Sequence, residues 1–341
     1  MNRKKFITDT TKYTALSLLG STLLKHNLFA KNSLPINHHL SSPKENNFMN
    51  IVTDISNIST VVKLKGKEVK IHAISTGTVA VKKKFRTKYG KGELAKVNII
   101  LDTQFTEYMP IWVWVIEHPE GLLVIDTGEV SAVKDINTHL AKESKFDRYF
   151  YRNNLKFNIE EGDELNHQFE KLSLKIDDVK LVVLTHLHLD HTDGFKFFPK
   201  QEIIVGNYEF DHTTHNCRSN YPSWFKPNKV NYVKNKIDIF SDAFPITRSE
   251  DLLFIPTPGH TLGHSSIIFK TDDFDIIFAG DISFNQEQVL KGELAGINID
   301  YKKAKQTYEK LLQYATNKKL IYLPSHDANA GQRLVNREFL V

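Results

Sequence analysis

The chain has 341 residues, 40% hydrophobic and 25% charged, with 11% aromatic residues and 16 glycines. Disordered, collagenous and coiled-coil classes are excluded by that composition. The formal net charge is +5, but Arg3, Lys4, Lys5, Lys12 and Lys25 stand against Asp9 alone in the first thirty positions. The rest is therefore nearly neutral and does not read as a nucleic-acid binder. One cysteine, Cys217, rules out a disulfide framework or a cysteine-rich zinc site. Any metal must be held by carboxylates and by some of the 15 histidines.

The N-terminus predicts a leader. Basic residues at 3–5 precede an uncharged stretch over 13–24, closed by Lys25. That stretch is too short to span a bilayer as a helix and has the length of a signal-peptide apolar region. Removal near Ala30 and export by a Sec or twin-arginine-like route, to the periplasm or beyond, are the expectation. No cysteine follows the apolar run to anchor a lipid, and no other segment is apolar long enough to stay in a membrane. Residues 31–60, rich in Asn, Ser and Pro, read as a flexible tail or linker, and 61–341 as one domain.

Within that domain, 61–73 reads as strand with a turn at Gly66. The run Lys82-Lys83-Lys84-Phe85-Arg86-Thr87-Lys88 reads as a solvated loop, or as a patch that steers an anionic substrate. Two apolar runs, 111–116 and 122–125, flank His118-Pro119-Glu120-Gly121 as a hairpin. Further strands are expected at 181–184, 203–205, 267–269, 276–278 and 320–323. Ala304, Tyr308, Leu311, Leu312 and Ala315 make one apolar face of a helix over 301–315. Strands in two groups, each followed by helices, predict an α/β fold with two sheets face to face and helices outside.

The chemistry concentrates in Thr185-His186-Leu187-His188-Leu189-Asp190-His191, directly after a predicted strand. Alternation along extended backbone puts His186 and His188 on one side. Two imidazoles for one cation, and a carboxylate plus an imidazole for a second, is the natural division. Without a cation, so many polar rings would be buried unpaired at a cost of a few kcal/mol each. Gly194 follows, where the backbone can approach closely. Asp126, His260 in a glycine-rich turn that also carries His264, Asp281 and His326 stand at other predicted strand ends, where loops converge on a pocket.

The His186-x-His188-x-Asp190-His191 box, with Asp126, His260, Asp281 and His326 in that order, resembles the metallo-β-lactamase superfamily over roughly 61–339. The resemblance implies an αββα sandwich of two mixed sheets. It implies two zinc ions per chain, with iron or manganese also suited to an all-N/O donor set. His186, His188 and His260 would hold one ion, Asp190, His191 and His326 the other, and Asp281 would bridge them. Asp126 would orient a ligand histidine, and His264 would support the ligand turn rather than ligate. Two such ions about 3.5–4 Å apart give a bridging hydroxide as nucleophile, with Asp190 shuttling a proton and zinc polarising the carbonyl. Cys217 has no base beside it and reads as structural.

Only 65 residues separate His260 from His326, which leaves no room for the inserted domain usual in nuclease members. Tyr108 to Trp114 and the hairpin to Asp126 resemble N-acyl homoserine lactonases, which implies degradation of a small quorum-sensing signal. Arylesterase, organophosphate hydrolase and glyoxalase-II-like thioesterase are the rivals within the fold, and a metal-keeping protein without turnover is the rival outside enzymes. A homodimer is compatible with this reading. Tyr149, Phe150, Tyr151, Trp224 and Phe225 are the candidate pocket aromatics, with core packing as the alternative, Trp112 and Trp114 are expected core residues, and His212 and His215 surface or pocket-rim residues. Many such lactonases carry a tyrosine three residues after the bridging aspartate, and this chain has Phe284 there.

Overall fold

The computed structural model describes residues 56–341 except Glu93 and Asp238. The expected leader and most of the expected linker lie outside the described residues. Strands β1 (Ile58–Leu64), β2 (Lys67–Val81), β3 (Met109–His118), β4 (Gly121–Ile125), β5 (Leu155–Asn158), β6 (Val179–Leu184), β7 (Glu202–Gly206) and β8 (Asn228–Val230) form one sheet. Strands β9 (Val233–Ile237), β10 (Phe240–Pro245), β11 (Leu252–Pro256), β12 (Ser265–Lys270), β13 (Asp275–Gly280) and β14 (Leu320–Pro324) form the second. Both are mixed: β4, β6, β7 and β8 run parallel in the first, and β13 and β14 in the second, while the other pairings are antiparallel. The first strand among the described residues starts at Ile58, three residues before the expected strand, because Ile58 to Leu64 pair in register with Ala73 to Lys67 around the turn at Gly66.

Side-chain alternation explains the layers. Trp112, Trp114 and Ile116 of β3 point between the sheets and meet Phe254, Phe269, Phe278 and Leu323 of the second sheet. Val113 and Val115 point the other way, onto Leu165 and Phe169 of the helix Leu165–Lys171. On the far side, Leu253, Ile255, Ile268 and Ile277 pack against Tyr308, Leu311 and Tyr314 of the helix Tyr301–Asn317. Asp300 caps that helix by accepting from Lys303 N at 2.9 Å. The result is helix, sheet, sheet, helix. No helix among the described residues is long and apolar enough to cross a membrane.

The basic run at 82–88 is not a solvated loop. Lys82 is buried, its ammonium donating to the carbonyls of Ile99 and Ile100 at 3.3 Å. Phe85, in the short helix Lys83–Arg86, joins an apolar cluster with Val79, Val81 and Phe284. Alternating one apolar residue among lysines hid a segment whose flexible stems and one ring pack inward.

Candidate metal centre

Five chain segments leave one end of the sandwich together. After β4 the backbone turns at Asp126 with φ +58°, a conformation rare for a non-glycine residue and found where geometry is over-determined. Its carboxylate accepts from Thr185 N at 2.7 Å and Thr185 Oγ1 at 2.8 Å, which fixes the start of the histidine box after β6. Backbone bonds from Ser265 N to Thr185 O and from Trp112 N to Ser325 O, both 3.0 Å, lock the two sheets at this end. A Cβ on Gly194 would lie 2.1 Å from Thr127 O, so only glycine lets the box pack against the turn after Asp126.

The expected donors converge. His188 Nδ1 lies 3.1 Å from His186 Nε2 and 2.9 Å from His260 Nε2. One imidazole nitrogen cannot satisfy both neighbours by hydrogen bonding, whereas zinc with bonds of about 2.0–2.1 Å holds nitrogens about 3.3 Å apart. Asp190, His191 and His326 form a second group, with Asp190 Oδ2 at 3.4 Å from His326 Nε2. Asp281 stands between the groups: Oδ1 is 3.3 Å from His191 Nε2, and Oδ2 is 3.4 Å from both His260 Nε2 and His326 Nε2. His191 Nε2 and Asp281 Oδ1 are buried with no hydrogen-bond partner among the described residues. Buried polar atoms are rarely left so, and a cation satisfies both. The residues therefore fit a pair of metal ions.

Behind the donors, other groups fix each ring. His191 Nδ1 donates to Asp126 Oδ2 at 2.8 Å and His326 Nδ1 to Pro110 O at 2.9 Å. His264 is not in a donor group. Its Nε2 accepts from Asp281 N at 3.0 Å, so it carries its proton on Nδ1, beside Thr257. It thereby holds the backbone of the residue between the groups. Gly280, at φ +56°, makes room, since a Cβ there would meet His264 Nε2 at 2.6 Å.

Electrostatics divide the donor histidines into two kinds. Burial first, then neighbouring imidazoles, keeps His186 and His188 far below the usual histidine range. Burial likewise takes His260 down to about 3. These rings are neutral, the form that binds metal. At His191 burial also lowers the pKa, but the carboxylates of Asp281, Asp126 and Asp190 outweigh it and raise it well above the usual range. Burial opposes ionisation of Asp281, yet His326 and His191 hold it far below the carboxylate range.

The pocket over these groups is lined by Val79, Val81, Phe85, Phe150, Tyr151, Leu155, His215, Phe284, Ile297 and Ile299. Phe284 lies beside the donors, stacked on His326 with centroids 5.6 Å apart, and Tyr151 is in the wall. Tyr149 is not: it is 39% exposed, because the helix Lys145–Asn154 turns Asp147, Phe150 and Tyr151 inward and Tyr149 outward. Trp224 and Phe225 are not in the pocket either. They pack on Phe195, Phe225 stacked at 4.2 Å, against the outer face of the first sheet. The helix carrying His212 ends there, so His215 lies in the following loop and on the pocket rim, while His212 stacks on Tyr208. Cys217 is buried, as expected of a structural residue.

Two carboxylates escaped sequence reasoning. Glu209, fully buried, accepts from Leu187 N at 3.1 Å and Thr261 Oγ1 at 2.6 Å and so ties the histidine box to the His260 turn. Glu129 is buried behind the box, where desolvation and Asp193 hold its carboxyl well above the usual range. Neither carries a motif; only the fold brings them to the site.

The model of the metallo-beta-lactamase superfamily matches residues 107–326. The chain belongs to that superfamily. It is a hydrolase, homologous to lactonases. The N-acyl homoserine lactonase AiiA of Bacillus thuringiensis subsp. kurstaki is 25% identical over 221 residues, 64% of this chain and 82% of that protein. The N-acyl homoserine lactonase AttM of Agrobacterium fabrum is 24% identical over 280 residues, 77% and 95% of the two chains. Among solved structures, an N-acyl homoserine lactone hydrolase with N-hexanoyl-L-homoserine at its catalytic metal centre matches with a TM-score of 0.61 and 18% identity over 79% of this chain and 94% of that one. The dizinc quorum-quenching lactonase AidC matches at 0.53 with 16% identity, over 80% and 92%.

Proposed function

We propose that this metallo-β-lactamase-fold hydrolase opens N-acyl homoserine lactones, with two zinc ions held by the two donor groups and Asp281 between them. The observation that carries the reading is the placement of Asp281 within 3.4 Å of His191, His260 and His326, beneath a pocket walled by aliphatic and aromatic residues. The lactonase names of its relatives support the substrate class.

When bound, two such ions supply a deprotonated water at neutral pH and polarise a ring carbonyl. The chain supplies the rest. Asp190 reaches the pocket and His326 together, so its carboxylate is placed to take the proton left on the attacking oxygen once it has added to the carbonyl and to pass it to the departing ring oxygen. Asp126 and Pro110 O keep His191 and His326 in the tautomer that turns Nε2 inward. Phe284 has no hydrogen to donate, so it excludes water and contacts substrate without polarising it. Val79, Val81, Phe85 and Phe150 offer the apolar surface an acyl chain needs.

The test is a panel on zinc-loaded protein: N-hexanoyl homoserine lactone, an aromatic ester, a phosphotriester and a glutathione thioester. The lactone is expected to have the highest kcat/KM, with close to two metal equivalents by elemental analysis. A phosphotriester or thioester turned over far faster than the lactone overturns the substrate assignment, and full activity with under one equivalent overturns the paired site. We further propose, from the sequence alone, that the protein is exported and cleaved near Ala30. Mass spectrometry of the native cell envelope tests this, and a full-length cytosolic species as the sole form defeats it.

A further inference from the structure

We propose that His215 is a substrate-binding residue whose Nε2 accepts a hydrogen bond from an N–H of the substrate, so that the pocket selects lactones bearing an amide. The proposal rests on the lactonase reading and names the group that this reading leaves unmatched.

His215 lines the same pocket as His188, Asp190, His260, Asp281 and His326, yet belongs to neither donor group. One helix, Lys145–Asn154, holds it from several sides. Its Nδ1 lies 2.9 Å from Asp147 Oδ1, and its ring stacks on Phe150 with centroids 4.7 Å apart and planes 12° from parallel. The hydroxyl of Tyr151 donates to the His215 carbonyl at 2.8 Å. Ser144 Oγ donates to the other Asp147 oxygen at 2.6 Å, so the carboxylate cannot swing away. The backbone of His215 sits at φ +60°, a conformation a non-glycine residue keeps only where its surroundings impose it.

This arrangement sets the tautomer. The hydrogen bond from His215 holds the Asp147 carboxyl below the usual carboxylate range, so Asp147 accepts and Nδ1 carries the proton. In the uncharged ring Nε2 is then a bare acceptor, and no hydrogen-bond partner for it is found among the described residues. A half-buried acceptor in the wall of a ligand site discriminates between ligands that offer a donor and ligands that do not. The acyl amide beside a lactone ring offers one N–H. A plain alkyl lactone offers none.

Two substitutions separate binding from scaffolding. In His215→Asn the side-chain NH2 overlays Nδ1, keeps the Asp147 contact and tolerates the left-handed backbone, but nothing stands at Nε2. In His215→Gln the side-chain oxygen overlays Nε2 and the Asp147 contact is lost. The probes are N-hexanoyl homoserine lactone and an α-alkyl-γ-butyrolactone of equal chain length, with melting temperature and metal content measured on each variant. His215→Asn is expected to lose about tenfold in kcat/KM on the amide lactone and less than about twofold on the alkyl lactone. His215→Gln is expected to recover most of the amide preference at a lower melting temperature. Equal losses on both lactones, or Gln performing worse than Asn on the amide lactone, overturn the proposal, since a merely structural histidine gives that order. If the wild-type enzyme opens neither lactone, the lactonase reading falls and this inference falls with it.

Discussion

The two walls of the pocket are built in different ways. The polar wall hangs from strand ends: Asp126 after β4, the box after β6, Asp281 after β13 and His326 after β14, each tied to its neighbour by backbone hydrogen bonds. The apolar wall is assembled from β2, the helices Lys83–Arg86 and Lys145–Asn154, and loops around His215 and Ile297. Strand ends are held on both sides by the sheet and keep donors within the few tenths of an ångström that ligation demands. Helices and loops at the rim shift and mutate with less cost to the fold. On the proposed function, the rigid half fixes the chemistry and the other half the choice of substrate.

The sharpest way to break that division is at Asp281. Asp281→Asn removes the charge shared between the donor groups, and turnover is expected to fall by more than about 100-fold, with the metal content reduced. Wild-type rates with two metals bound would show that Asp281 is not the shared ligand. Asp126→Asn acts one layer out. It offers His191 Nδ1 a weaker acceptor and loosens Thr185, so a loss of about 10- to 100-fold in metal affinity or activity is expected, seen by titration with a chelator. Unchanged affinity would assign Asp126 to the turn alone.

The same division explains what could be read in advance. Each donor was legible because a chemistry-bearing residue followed a short apolar run, and two sheets of known kind bring such ends together. Gly194 was legible only as a place where backbone can approach closely; that the approaching backbone is Thr127, after the turn at Asp126, comes from the fold. On the apolar wall, an aromatic residue looks alike whether it faces core, pocket or solvent. Tyr149 and Tyr151 differ by a rotation of about 200° on a helix whose start was not predicted. Trp224 and Phe225 cover Phe195 because the loop after His215 folds over the first sheet, a long-range packing choice without a local signature. Lys82 was misread because its charge suggested solvent, while its stem and its two carbonyl partners belong to the interior.

Phe284 sits where the walls meet, and it sharpens the comparison by separating kcat from KM. Phe284→Ala removes apolar contact equal in ground and transition states, so KM is expected to rise several-fold with kcat nearly constant. Phe284→Tyr adds a donor beside His326 and is expected to help a lactone more than a phosphotriester, since only the lactone presents a carbonyl. Steady-state kinetics on both substrates decide. A hundredfold loss of kcat at constant KM in Phe284→Ala would place the ring in the chemical step.

The smallest effect on activity is expected at the opposite ends of the strands, where Glu120 joins the turn between β3 and β4 to the second sheet. Its carboxylate accepts from Arg248 N at 3.0 Å and from Ser249 N and Ser249 Oγ at 2.9 Å. Burial opposes its ionisation, but those donors prevail and hold it at about 2, below its ordinary 4.5. A depressed carboxyl adds stability that is fully present above its unfolded value and is lost as the pH falls through its folded value. Glu120→Gln turns an NH2 toward donors and forfeits that contribution. The variant is expected to melt about 2–5 °C below wild type at pH 7. The gap should narrow as the pH falls from 4.5 toward 2. Its kcat/KM on the preferred substrate should stay within about twofold of wild type, because no atom of Glu120 reaches the pocket. A gap constant with pH would remove the charge from the account, and a large loss of activity would show that the two ends of the sandwich are coupled.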